Sequence, residues 1–561
     1  MSSPSTSLKQ SHQGKYTATE SVLLLASEDV QDIPNYQDNN YGSLENQLNY
    51  DGSDQEDSEE VPEVSILKIP NIIQIEVSLL LNVFLAVFDS TITASTYTTI
   101  GSEFNAANLG SWITTSYLIT STSFQPLYGC FSDILGRRVC YFFATIVFTL
   151  GCIGCSLSPG IFSLFFARAL TGIGGGGLIT LATVINSDII PPSKRGLFQG
   201  FQNILIGLGS ILGASLGGFI AEKIGWRFCF LAQVPISSVG LVFGYFYIQN
   251  QKELKSQKVL TNIDLEGAFL LVTGLTFQLL SLYTTSWTSY TLSVSSFIIL
   301  YRFYKVEVTT TRIPIIPFNK IKTLPNYLAL IISTLTGFAN LAYIFILPLL
   351  FQIVLNDSPS KAGLRLGIPS LFTSVGSLIT AYFMNKDVKN LVYLVHFGVF
   401  LLALGNFLAL LISKKFPPVA LNFLLIPANT GLGVSNPALL FTFVFAFPRH
   451  LQASSTSTLY LFRSIGNVYG VAIISTIILQ SLRVQLIKNF DKLDLDQDEI
   501  DHIIEKSIRS ISYIKTLPPH IKTVVSASYE SSIRRAQLIS SLVCVFAFIL
   551  CIVKYSISKA K

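Results

Sequence analysis

Apolar runs of about 20 residues recur along most of this chain. At 1.5 Å per residue, a helix of that length crosses the roughly 30 Å hydrocarbon core of a bilayer. Inside that core no water satisfies backbone N–H and C=O groups, so a spanning segment must be a helix or part of a closed barrel. Runs this long and this uniformly apolar select the helix. Fourteen are read, at 72–98, 109–129, 139–158, 161–187, 197–220, 227–248, 265–284, 287–304, 326–351, 363–384, 390–412, 419–446, 454–480 and 536–556. Only 13% of the 561 residues are charged and 50% are hydrophobic, against about a quarter charged in soluble domains. The expectation is an all-α membrane protein embedded in a lipid bilayer.

The charges between the runs set the orientation. Loops after even-numbered runs carry fifteen Lys and Arg, from Arg137 to Arg449, and the short loops after odd-numbered runs carry six. Positive charge stays on the cytosolic side, which places the even loops and both termini there. Residues 1–68 hold thirteen acids against Lys9, Lys15 and Lys68, with few apolar clusters. Such a segment cannot bury enough surface to fold, and reads as a disordered acidic cytosolic tail. The net charge of +5 is scattered through loops with no basic stripe, so nucleic acid is not an expected partner. The stretch 482–535 reads as a long luminal loop. Ile500, Ile503, Ile504, Ile508 and Ile511 recur within it at helical spacing, as on an amphipathic surface helix.

Two charges lie deep inside the runs. Asp89 is near the middle of the first and Arg168 is in the fourth. An intramembrane charge is expensive and marks function by default, with the opposite charge as its natural partner. Glu76, thirteen residues before Asp89, is expected at the membrane surface. Arg168 opens Arg168-Ala-Leu-Thr-Gly172-Ile-Gly174-Gly-Gly-Gly177, which contains the G-x-G-x-x-G spacing of dinucleotide folds. It lies inside an apolar run, with no preceding strand and no following acid, so it reads as a face for close helix approach. Cys152-Ile-Gly-Cys155 likewise sits within a span without a second pair, and reads as small packing residues. No metal site is expected.

Between the second and third runs lies Gly129-Cys-Phe-Ser-Asp133-Ile-Leu-Gly136-Arg137-Arg138. The glycines suit a tight turn at the membrane surface, the arginines hold the loop in the cytosol, and Asp133 can form a breakable pair with a neighbouring helix. This segment resembles the loop signature of the major facilitator superfamily, G-x-L-S-D-x-x-G-R-R. The resemblance implies two six-helix bundles with an inserted helix pair. Residues 69–250 would form the first bundle, 251–324 the loops and inserted pair, and 325–561 the second bundle. The loop at 385–390 stands where the signature would repeat but lacks its glycines.

Further segments are similar to the family's fourteen-span drug:proton antiporter branch. Asp89-Ser-Thr-Ile92 and Arg168-x-x-x-Gly172-x-Gly174 resemble its proton-coupling positions. Gly209, Gly213, Gly217 and Gly218 resemble its antiporter helix, with Ala214 where the family has Pro. Gln125-Pro-Leu-Tyr-Gly129, Gln233-Val-Pro235 and Arg463-Ser-Ile-Gly-Asn467 are most like fungal vacuolar basic amino acid transporters. The resemblance implies exchange of lysine, arginine and histidine for protons at the vacuolar membrane, with a small cationic substrate and no cofactor beyond the proton gradient. It also implies a monomer. Asp89 is expected to bind the cation and release it on protonation. Tyr117, Gln125, Asn203, Asn340 and Arg463 are candidate cavity residues. In the tail, Glu20, Leu24 and Leu25 fit the acidic dileucine pattern similar to vacuolar sorting signals, which would engage a sorting adaptor. A multidrug or siderophore:proton antiporter of the plasma membrane shares nearly every motif. A nutrient sensor that binds without transporting is the reading from another class. No enzyme signature is present.

Overall fold

The computed structural model describes residues 71–560 apart from short stretches, the longest at 249–263 and over most of 491–516. The acidic tail, with Glu20, Leu24 and Leu25, lies outside the described residues. Among those described, fourteen long helical segments follow one another. They are α1 (Ile72–Glu103), α2 (Ser111–Leu135), α3 (Arg137–Ser156), α4 (Ile161–Ile189), α5 (Pro192–Lys223), α6 (Gln233–Tyr247), α7 (Leu265–Tyr283) and α8 (Trp287–Thr309). They continue with α9 (Leu324–Leu349), α10 (Pro359–Lys386), α11 (Asn390–Leu408), α12 (Pro418–Val444), α13 (Gln452–Phe490) and α14 (Pro519–Ala560). Eleven segments are long and apolar enough to cross a membrane. The helices α2, α8 and α10 are long enough but more polar.

The first six helices pack together, with α1 on α5 and α6, and α4 between α2 and α3. In the second bundle α9 and α11–α14 pack mutually, and α10 lies on α12. The bundles meet through two helix pairs, α2 with α13 and α5 with α10. The pair α7–α8 packs on itself and against α2.

Glycines set the closest approaches. A Cβ on Gly176 would lie 2.5 Å from the carbonyl oxygen of Ser121 on α2, and one on Gly174 would lie 2.5 Å from that of Ala144 on α3. The glycine run of α4 therefore lets one helix touch two neighbours at backbone distance. It is helical throughout, as its apolar setting requires.

The stretch expected as a loop at 482–535 is helical at both ends. α13 runs on to Phe490 and α14 starts at Pro519. Leu482, Leu486 and Phe490 are fully buried in one cluster with Val525, Tyr529 and Ile533, so the helices continue as a packed pair. Gln485 and Asn489 bond to Ser531 and Ser528 across that pair at 2.8 and 2.9 Å. Of the isoleucines expected on a surface helix, Ile503 is buried in this cluster and the other four lie outside the described residues.

Candidate functional site

Asp89 and Arg168 meet. Both carboxylate oxygens of Asp89 accept from Arg168 Nη1 at 2.8 Å, and neither side chain is exposed. α1 is held against α5 at this depth by small residues: Thr91 donates to the carbonyl of Gly209 on α5 at 3.3 Å. A Cβ on Gly213 would collide with Thr91, and one on Gly217 with Ser95, so the glycine face of α5 seats α1. Gly209 abuts Phe84 in the same row. Gly218, expected in that face, has nothing within 4 Å of its would-be Cβ and belongs to the far side.

The ion pair is closed on every side. Gln233 donates to Asp89 at 3.3 Å, and Arg168 Nε donates to the carbonyl of Ile113 at 3.2 Å. The guanidinium lies 4.6 Å from the Tyr117 ring centroid and 5.5 Å from that of Phe230. Tyr117 thus walls the ion pair and does not line an open cavity. Asp89 was expected to receive a cationic substrate. Here Arg168 and Gln233 hold both its oxygens within an enclosed site, so a cation reaches Asp89 only when this site opens. Arg168 Nη2 is buried without a partner, which leaves the guanidinium one bond short of saturation.

The signature segment forms a different junction from the expected surface turn. Gly136, with φ of +91°, does turn the chain between α2 and α3. Gly129 lies inside α2. A Cβ there would collide with Ser457 and come within 2.9 Å of the carbonyl of Ala453, so this glycine admits α13 against α2. Arg137 binds Asp133 and Asp188 at 2.7 Å each, and donates to Ser132 at 2.6 Å, tying α2 to the end of α4. Arg138 donates to the carbonyl of Tyr245 and stacks on that ring, tying α3 to α6. Asp133 also bonds to Ser454 of α13, across the bundles. Burial lifts its carboxyl to about 6, against the lowering effect of Arg137 and Ser454. At the 385–390 turn, Asp387 accepts only locally, from the amide of Lys389, and is exposed.

Further bonds join the bundles. Ser464 donates to Gln125 at 2.7 Å, Asn203 donates to Ser377, and the hydroxyls of Thr183 and Tyr460 lie 3.0 Å apart. Arg195 donates to Gln452 at 3.3 Å. Gln125 and Asn203 are therefore interface residues. Asn340 is partly buried and joins none of these contacts. Arg463 is partly buried on α13, over the Tyr460 ring.

Several participants were not singled out from sequence for these roles. Among these are Asn186, Asp188 and Gln233, the last of which was noted only within its motif. Glu76, expected at the surface, is 7% exposed and faces Asn186, whose amide donates to it at 3.4 Å. Its neighbours Ile75, Leu79 and Val83 are all buried, so Glu76 borders an inward helix face.

The chain matches the family model described as Major Facilitator Superfamily over residues 79–471. It is 51% identical over 472 residues to Vacuolar basic amino acid transporter 2 of Saccharomyces cerevisiae, covering 81% of this chain and 99% of that protein. It is 37% identical over 462 residues to Multidrug resistance protein fnx1 of Schizosaccharomyces pombe, covering 80% and 86%. Among solved structures, the human organic anion transporter MFSD10 aligns with a TM-score of 0.56 at 13% identity, covering 87% of this chain and 100% of that one. These relatives are transporters and not enzymes.

Proposed function

The chain belongs to the major facilitator superfamily, and we propose that it exchanges lysine, arginine and histidine for protons across the fungal vacuolar membrane. The observation that carries this reading is the 51% identity to a vacuolar basic amino acid transporter over nearly that protein's whole length. In this reading all fourteen long helices cross the bilayer, both termini are cytosolic, and the Asp133 end of the bundles faces the cytosol. The protein acts as a monomer and draws on the proton gradient alone. Alternating access rocks the bundles about the α2–α13 and α5–α10 contacts. The present structure has its bundles joined at the Asp133 end.

The Asp89–Arg168 pair is the coupling element. Proton exchange is assigned to this pair, whose carboxylate and guanidinium part and rejoin as the bundles rock. The multidrug reading rests on a relative of lower identity, 37%. The sensor reading leaves this enclosed pair without a task.

The test is ATP-dependent uptake of labelled lysine, arginine and histidine into vacuolar vesicles from cells with and without the protein. Protein-dependent uptake of all three, abolished by a protonophore, is expected. Transport of neutral drugs with no basic amino acid uptake would transfer the protein to the multidrug class. Vacuolar delivery is assigned to Glu20, Leu24 and Leu25 acting through a sorting adaptor. Replacing both leucines with Ala should shift a tagged protein to the plasma membrane, and unchanged vacuolar fluorescence would remove the signal from the account.

A further inference from the structure

Two charges near the seam between the bundles, Arg463 and Glu76, lack a counter-charge. Most buried or half-buried arginines are neutralised: Arg168 by Asp89, Arg137 by Asp133 and Asp188, Arg365 by Asp357. Arg463 is different. Its Nη2 donates weakly to the carbonyl of Asn436 at 3.3 Å, its Nε is buried without a partner, and the ring of Tyr460 lies 5.3 Å away. No acid acts on it among the described residues. Glu76 is the converse case. It is a buried carboxylate whose one described bond is the amide of Asn186, with no cation acting on it.

The two sit on opposite bundles and are connected. Asn186 and Thr183 lie one turn apart on α4, Tyr460 and Arg463 one turn apart on α13, and Thr183 meets Tyr460 at 3.0 Å. Asn186 Oδ1 is itself buried without a donor. Thr183, Asn186, Gln202 and Thr456 line a narrow cleft of about 20 Å³ between the bundles. That is room for about one water molecule, so a substrate enters this cleft only when the bundles separate. Three residues of rise on α4 and three on α13, about 9 Å in all, separate the levels of the two charges along the bundle axis. The four-carbon stem of a lysine, together with the reach of the two side chains, spans that gap.

We propose that Glu76 and Arg463 are the two poles of the substrate site, Arg463 holding the α-carboxylate and Glu76 the side-chain cation of a basic amino acid. The proposal rests on the basic amino acid reading above and deepens it. An unpaired charge in a low-dielectric interior is costly, and a dipolar substrate of the right length relieves both costs at once. Asn186 Oδ1 supplies an acceptor for an ammonium group. The substrate takes the place of the Thr183–Tyr460 contact, so binding and separation of the bundles are one event. A neutral amino acid leaves Glu76 bare and a diamine leaves Arg463 bare, which is how a polar site rejects the near analogue.

The experiment uses the purified full-length protein and labelled lysine, displaced by norleucine, which lacks the side-chain cation, or by 1,5-diaminopentane, which lacks the carboxylate. The wild type should prefer lysine to either by about a hundredfold or more. Glu76→Gln should remove the preference over norleucine alone, and Arg463→Gln the preference over the diamine alone. Both variants should also raise the melting temperature of the substrate-free protein, because each deletes an unpaired buried charge; a merely structural role would lower it. Arg463→Lys should keep part of the discrimination against the diamine. Wild-type lysine binding with both preferences intact in the Gln variants overturns the proposal and leaves the transport reading standing. No displaceable lysine binding by the wild type overturns both.

Discussion

Asp89→Asn is expected to reduce protein-dependent lysine uptake to background and to destabilise the first bundle by about 3–5 kcal/mol. The size follows from what remains. Arg168 donates twice to Asp89, is fully buried, and already has one nitrogen unpartnered. An amide oxygen accepts a bond but does not neutralise the charge, so the mutation leaves a lone guanidinium between Tyr117 and Phe230. Loss of stability and loss of coupling must be separated. Asp89→Asn with Arg168→Gln removes both charges, and should recover most of the melting temperature without recovering uptake, since neutral replacement of a buried pair is often well tolerated. An active Asn variant of normal stability would show that the pair neither couples nor holds the bundle.

Asp133→Asn is expected to leave the protein folded and to cut transport about tenfold to a hundredfold. Charge-assisted bonds of about 1.5–3 kcal/mol join Asp133 to Arg137 and to Ser454 across the bundles. Burial at this seam opposes the charged carboxyl, so the neutral amide, like the protonated acid, favours the joined arrangement, and a bias of about 1.4–3 kcal/mol towards one arrangement is a tenfold to hundredfold change. The pH dependence has a defined sign. In the joined state burial raises the Asp133 carboxyl from 3.8 to about 6. Once the bundles part and the group is solvated, it returns towards its ordinary value. Protonation therefore favours the joined state, and that preference grows as pH falls from about 6 to about 4, and is absent above 6. Distances between labels on α2 and α13 should shorten over that window in the wild type. In the Asn variant they should not respond, and a response equal to that of the wild type would assign the titration elsewhere.

The helices were readable because a bilayer demands unbroken apolar length. Asp89 and Arg168 were readable because isolated charges at depth have few partners to choose from. Other features were not, for reasons specific to each residue. Gly129 looks the same in a one-dimensional string whether it turns a chain or admits a neighbouring helix, and here it does the second. Gly218 directly follows Gly217, about 100° further round the helix, and so points away from the row that seats α1. Glu76 was placed by its distance from the span centre, which says nothing about which way the residue faces. The extension of α13 was hidden by Arg483, Gln485 and Lys488, which lower the local hydropathy. Leu482, Leu486 and Phe490, spaced by four, carried the helical signal all the same.

α13 has a mechanical consequence. Its 39 residues make a rod of about 58 Å, roughly twice the thickness of the hydrocarbon core. One end carries Ser454 and the contact with Gly129, and the other is braced by α14 at Leu482, Leu486 and Phe490. A stiff rod pivoting near its middle is a lever. Small tilts where the bundles meet become larger displacements at the far tip, on the opposite side of the membrane. The helix pair is therefore a pointer on which the transport cycle can be watched from the face of the membrane opposite Asp133, without touching the pathway the substrate follows.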